Sequence, residues 1–221
     1  MKRRVFTSLI IMMLVFTTTA QAHKPMFEGT NSTYERPVVV PDHKISYVVY
    51  GELKDERDID FIKFTAKKGD PLFVETAIPK INGNEDFRPY IAIAGKGIYS
   101  KDRVPFNVVN GMGVTVIPPA ASRDFYEKFT QTSYYLVQSL RGEITEDGDY
   151  YIAVYSVGRG GKYSLAIGER EDFGFSDVIK FPYTYIKVKY FFNPVGTIAI
   201  IVGLAVSITG IILIMKRVRG R

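Results

Sequence analysis

The chain holds two histidines, His23 and His43, and no cysteine. Residues 1–22 read as a secretory leader. Lys2, Arg3 and Arg4 form a basic start, Val5 to Phe16 is an apolar stretch, and Ala20-Gln21-Ala22 is a small-x-small cleavage site. Cleavage there predicts His23 as the mature N-terminus. A terminal histidine offers its α-amine and imidazole as a chelate that suits Cu(II), and a second imidazole completes a three-nitrogen site. His43 is the candidate for that imidazole, with Asp42 as an oxygen ligand or as the carboxylate that orients a liganding ring. Met26 would serve Cu(I) more weakly. The plainer alternative is that cleavage falls before a histidine by chance and that His43 is a surface turn residue.

Carboxylates cluster twice, at Asp55, Glu56, Asp58 and Asp60, and at Glu143, Glu146, Asp147 and Asp149. Calcium needs six to eight oxygens, and neither run has EF-hand spacing. Solvated turns explain both, so calcium is a weaker expectation than copper. A surface hydrolase would need two such carboxylates facing across a cleft. Gly158 to Ser164 (GRGGKYS) lacks phosphate-loop spacing and is flanked by strand patterns on both sides. There is no Gly-x-Ser-x-Gly and no His-Glu-x-x-His. With two histidines and no thiol, nucleophile–base pairs are scarce. The 15 tyrosines include Tyr134-Tyr135 and Tyr150-Tyr151, pairs that put one ring on each face of a strand. Some tyrosines are therefore expected at a recognition surface.

Val195 to Met215 contains no charge and no proline. As a helix it measures roughly 31 Å, the thickness of a bilayer's hydrocarbon core. Lys216, Arg217, Arg219 and Arg221 follow, which predicts a cytoplasmic tail at 216–221 and everything before the span outside. Gly196, Ala199, Gly203, Ser207 and Gly210 share one helical face and would allow close packing, in a homodimer or on another membrane protein. Tyr183, Tyr185, Tyr190, Phe191 and Phe192 suit the outer headgroup level. The net charge of +6 comes from the two ends. Without their seven basic residues, 22 Lys and Arg face 23 Asp and Glu, so the basic pI marks targeting and topology, not a nucleic-acid surface.

Between the ends, short β-rich runs recur: Ile45–Gly51, Ile59–Thr65, Leu72–Ala77, Tyr90–Ala94, Gly113–Ile117, Tyr134–Leu140, Tyr150–Val157 and Tyr163–Ile167. The lead-in His23 to Pro41 reads as extended, with a strand at Val38–Val40. Leu72, Val74 and Thr76 alternate against Phe73, Glu75 and Ala77. Ser122 to Thr130 reads as a helical turn or a loop. The last two runs read as a hairpin around Gly158 to Gly161. No long amphipathic helix intervenes, which predicts an all-β antiparallel sandwich or jelly roll.

Tyr50-Gly51-Glu52-Leu53, Asp58-Ile59-Asp60-Phe61-Ile62-Lys63-Phe64 and Lys68-Gly69-Asp70 resemble the opening of bacterial pre-peptidase C-terminal domains. Pro89 to Ile93 resembles their central strand, and Asp147 to Val154 with Gly161 to Leu165 their closing strands. Val104 to Thr130 is a larger insertion than that family carries. The resemblance implies a β-sandwich that binds or assists without catalysis. A terminal His23 with His43 also resembles the histidine brace of periplasmic copper proteins, in those two residues alone. The expected layout is a signal peptide at 1–22, a β-sandwich at 23–175, a juxtamembrane stalk at 176–194, either a short helix or extended, and a transmembrane helix at 195–215. The expected function is a single-pass, cell-membrane protein whose outward domain is a non-catalytic binding or accessory module. The alternatives are copper handling and a carboxylate hydrolase.

Overall fold

The computed structural model describes residues 23–29, 32–128, 130–172 and 174–219; the expected signal peptide lies outside them. The strands are β1 (Lys24–Phe27), β2 (Val38–Val39), β3 (Tyr47–Leu53), β4 (Ile59–Ala66), β5 (Pro71–Pro79) and β6 (Tyr90–Gly95). They continue with β7 (Gly113–Ile117), β8 (Arg123–Glu127), β9 (Thr132–Glu143), β10 (Gly148–Tyr155) and β11 (Gly161–Ile167). Two helices follow, α1 (Phe175–Phe192) and α2 (Pro194–Arg219). The strands form two sheets, of order β1-β3-β11-β5-β9-β8 and β2-β4-β10-β6-β7. The expected β-sandwich followed by an apolar helix is the observed architecture. The pairings are antiparallel except for β1 on β3 and β2 on β4, where the lead-in adds a parallel strand to one edge of each sheet.

Strand alternation builds the core. Val49 and Leu53 of β3, Ile62 and Phe64 of β4, Val74 and Ile78 of β5, and Leu165 and Ile167 of β11 meet between the sheets. Burial of each such side chain contributes roughly 1.5–3 kcal/mol. In β9 the register slips opposite Thr76 and Ala77, leaving Val137 as an extra residue. The bulge lets Gln138 turn inward, where its amide nitrogen donates to Pro89 O (2.6 Å) and Ile117 O (3.2 Å) and bridges the sheets.

A second polar tie crosses the interior. Tyr163 of β11 donates from Oη to Asp60 Oδ2 of β4 at 2.7 Å, and Ser32 Oγ donates to Oδ1 at 3.1 Å. Asp60 is 1% exposed and Tyr163 fully buried. The tyrosine ring lies where a Cβ on Gly51 would be, 2.3 Å away, so the Gly in Tyr50-Gly51-Glu52-Leu53 makes room for it.

Two strand readings differ from the observed structure, and a third segment is settled by it. β10 and β11 are not a hairpin: β10 pairs with β4 and β6, β11 with β3 and β5, and the link passes from one sheet to the other. Gly160 and Gly161 serve that crossing by close packing, since a Cβ on Gly160 would meet Leu53 O at 2.3 Å. Ser122 to Thr130 contains strand β8, paired with β9, in place of a helical turn. Segment 176–194, expected as a stalk that is either a short helix or extended, contains a helix docked on the sandwich. Val188 and Phe192 of α1 are buried on Val48, Tyr50 and Tyr134, on the outer face of the six-stranded sheet. The large insertion has a matching role on the other side. Val104, Phe106, Val108 and Met112 cover Phe61, Tyr151 and Tyr155 on the outer face of the five-stranded sheet.

α1 and α2 are separated by Asn193, whose φ of −145° and ψ of 79° are not helical. Pro194–Val218 has a mean hydropathy of 2.8 and is almost entirely exposed beyond Thr197, and among the described residues it is the one helix long and apolar enough to cross a membrane.

Burial, with Glu28 nearby, pushes the Asp60 carboxyl up to about 8 from an ordinary 3.8. The folded state thus holds this proton more tightly than the unfolded chain. Stability from this group is full below about 4 and falls as pH rises towards about 8, with a limiting slope of about 1.4 kcal/mol per pH unit. Urea unfolding across this range should show that fall, and Asp60→Asn should flatten it. Tyr163→Phe should cost about 1–3 kcal/mol at pH 7. A wild-type pH profile matching Asp60→Asn would contradict the assignment.

Candidate functional site

The outer face of the six-stranded sheet is hollowed. Its floor is low because small residues, Ala77, Ser164, Ala166 and Gly168, project from β5, from β11 and from just past it. Its sides rise on Phe73 and Glu75 of β5, Tyr134 and Leu136 of β9, and Arg123, Phe125 and Glu127 of β8. Thr184 and Val188 of α1 form one wall, and His23, Pro25 and Ser46 close the end nearest β1. The groove encloses about 310 Å³. That falls at the lower end of the range for small-ligand sites.

Its polar groups are partly withdrawn from water. Burial holds the His23 imidazole below its ordinary pKa, while Glu127 and Glu171 pull the other way. The ring is therefore largely neutral at pH 7. Burial raises Glu75, opposed by Arg123 and Arg141. Burial raises the Tyr50 and Tyr134 phenols too, so both stay protonated donors. Arg141 lies 4.6 Å above the Phe73 ring and bonds Glu169 at 2.7 Å. The Ser164 hydroxyl, on a residue 6% exposed, lies on the groove floor within hydrogen-bonding reach of the Tyr134 phenol.

His23 Nδ1 hydrogen-bonds Ser46 Oγ. This is the kind of contact that can serve nucleophilic catalysis. Ser46 is only 4% exposed, however, and its carbonyl accepts from Lys24 N at 2.8 Å. Both bonds fasten the start of β1 to β3, which is a structural use.

The three metal candidates fall in two places. His23 stands in the groove, outside the six-stranded sheet. His43 is buried on the core side, stacked on Phe64 at 4.9 Å, with Nε2 3.8 Å from Asp70 Oδ2. Burial lowers its pKa, with Asp70 opposing. Asp42 accepts from Arg170 at 2.8 Å and from Lys44 N at 3.1 Å. The fold thus brings Asp42, His43, Lys44 and Asp70 together and leaves His23 apart. Among the described residues no group of three or more His, Asp or Glu side chains is placed to hold a metal. The acidic runs are likewise engaged: Asp55 with Arg57, Asp60 in the core, Asp147 with Lys68 N and Asp149 with Lys63.

Sequence reasoning missed the groove residues Tyr50, Glu75, Tyr134 and Ser164. The signal was present in β5, where Phe73 and Glu75 occupy the nominally solvent side. Sequence alone could not show that this side is roofed by a helix about a hundred residues away.

No family model matches the chain, and no curated protein matches it. Among solved structures it is similar to PliG of Aeromonas hydrophila, a periplasmic inhibitor of g-type lysozyme, at 15% identity over 66% of this chain and 98% of that one, with a TM-score of 0.34. It is similar to the pre-peptidase C-terminal domain of a Bacillus anthracis collagenase at 11% identity, covering 62% and 97%, with a TM-score of 0.29. It is also similar to CorA of Methylomicrobium album BG8, a surface-associated copper-binding protein, at 8% identity, covering 67% and 99%, with a TM-score of 0.31.

The charge arrangement around Glu75 gives a direct check. Arg141→Ala removes one of the two cations that hold the Glu75 carboxyl down, so its pKa should rise further above the ordinary Glu value. Carboxyl-detected NMR titration would register the shift. Stability should change by less than ~1 kcal/mol, because the Arg141–Glu169 pair is largely exposed. An unmoved or lowered Glu75 would mean that Arg141 does not act on it.

Proposed function

We propose that the protein is a single-pass, membrane-anchored, extracytoplasmic binding or accessory protein without catalytic activity of its own. The outward part is the β-sandwich with α1, the groove is its ligand seat, and α2 is the anchor. Residues 1–22 act as a removable signal peptide and 216–221 as a short cytoplasmic tail. The observation that carries this reading is one of connectivity. A groove of small-molecule size, with convergent polar groups, is walled by the helix that leads directly into an apolar, membrane-length segment. Such a site is suited to hold a ligand at the bilayer surface.

Blocking the groove tests the seat. Ala166→Trp fills the floor from an outward position and leaves the core face of β11 untouched. Both proteins, purified in detergent, are screened by thermal shift against short peptides, small sugars and organic ions. At least one class should raise the wild-type midpoint by several degrees and leave Ala166→Trp unmoved. Ligands that stabilise both proteins equally would remove the groove from the reading. In intact cells, an impermeant maleimide should label Lys68→Cys without permeabilisation; protection of that site would overturn the topology.

A further inference from the structure

α1 has the wrong outer face for a surface helix. Its inward side carries Thr184, Val188 and Phe192 against the sandwich. Its outward side should then be polar. Instead Phe175, Val178, Ile179, Tyr183, Ile186 and Tyr190 stand in one stripe at helical spacing, and they are 45–80% exposed. Lys180 and Lys187 run along one edge of the stripe, with Lys187 Nζ 4.0 Å above the Phe27 ring of β1. An apolar strip of this length on a monomer marks an interaction surface.

We infer that this stripe lies in the outer leaflet, with α1 resting along the bilayer at the boundary between headgroups and acyl chains. The inference rests on α2 being the membrane anchor. The helices are joined through Asn193 alone, so the Tyr190 end of α1 is at the membrane wherever α2 spans it. The non-helical Asn193 interrupts the helix, which frees α1 from having to continue the axis of the span. Eighteen residues reach about 27 Å. Standing upright, the helix would hold its whole apolar face in water. Lying along the surface, it buries that face ~5–10 Å deep, with lysines along one side and tyrosine hydroxyls among the headgroups. Lipid suits the stripe better than a protein partner because it continues the apolar surface of α2 across a one-residue break. The consequence is that the sandwich is held down on the membrane, with its groove wall at the lipid surface.

The natural chain has no cysteine, so single-cysteine labelling is clean. The full chain is placed at one copy per phosphatidylcholine nanodisc, with an environment-sensitive fluorophore at Val178→Cys, Ile186→Cys, Lys68→Cys or Ala205→Cys. A spin-labelled lipid quenches from the bilayer and iodide from water. Labels at 178 and 186 should be quenched by shallow spin-labelled lipid at least about three-fold more than the label at 68, and shielded from iodide. The label at 205 should respond to deep lipid quencher only. Iodide access at 178 and 186 equal to that at 68 would overturn the inference while a deep signal at 205 keeps the anchor. Shielding from iodide without lipid quenching would assign the stripe to protein and overturn it as well. Loss of the deep signal at 205 would instead remove the anchor reading itself.

Discussion

Each sheet of this domain is apolar on both faces, and only two of those four faces can meet. That constraint decides most of the remaining structure. The five-stranded sheet solves it with the insertion, whose Val104, Phe106, Val108 and Met112 close over Phe61, Tyr151 and Tyr155. The six-stranded sheet solves it with α1, but only in part. Val188 and Phe192 cover Val48, Tyr50 and Tyr134, and the strip over β5, β11 and β8 stays open. The groove is what remains when a helix covers part of a sheet six strands wide. No disulfide supports the arrangement. Packing and a few interior hydrogen bonds must hold it.

Those bonds do more for register than for net stability. Asp60 and Tyr163 meet across the sandwich, and a one-residue slip of either strand would turn one of them outward. Gln138 reaches two carbonyls only because the β9 bulge turns it inward. Each is costly if left unpaired, so each penalises the alternative packings that apolar contacts alone would tolerate. The raised Asp60 pKa is the visible strain of that choice: a carboxyl has been placed where its charge is poorly solvated.

The strand pattern was largely legible because period-two alternation is a local property. β4, β6 and β7 begin where the residues indicate and end there or within one residue of it. What the sequence did not reveal was non-local. The link from β10 to β11 has the glycines of a turn, yet they serve close packing where the chain changes sheets. β1 and β8 were missed because edge strands need only one partner and carry little apolar signal; Arg123 to Glu127 reads RDFYE. His43 looked like a surface turn residue beside Asp42, but its ring is sealed against Phe64. Sequence proximity puts Asp42 beside His43 whatever their role. It could not place His23, which the β1–β3 pairing carries to the other face of the sheet.

The segment between sandwich and span was ambiguous for a physical reason. An ordinary surface helix advertises itself by polar residues on one side, and α1 has apolar residues on both. A helix apolar all round is one with partners all round. The break after it was nevertheless written in two residues. Asparagine before proline is driven out of the helical region, proline is favoured in the first turn of the next helix, and the Asn193 side chain accepts from Gly196 N at 2.9 Å as a cap. α1 therefore takes its direction from the sheet on which Val188 and Phe192 are seated, and α2 takes its own from beyond the break. A single asparagine reconciles the two. The groove wall is in this way set by the protein's own packing, and one residue separates it from the apolar helix that follows.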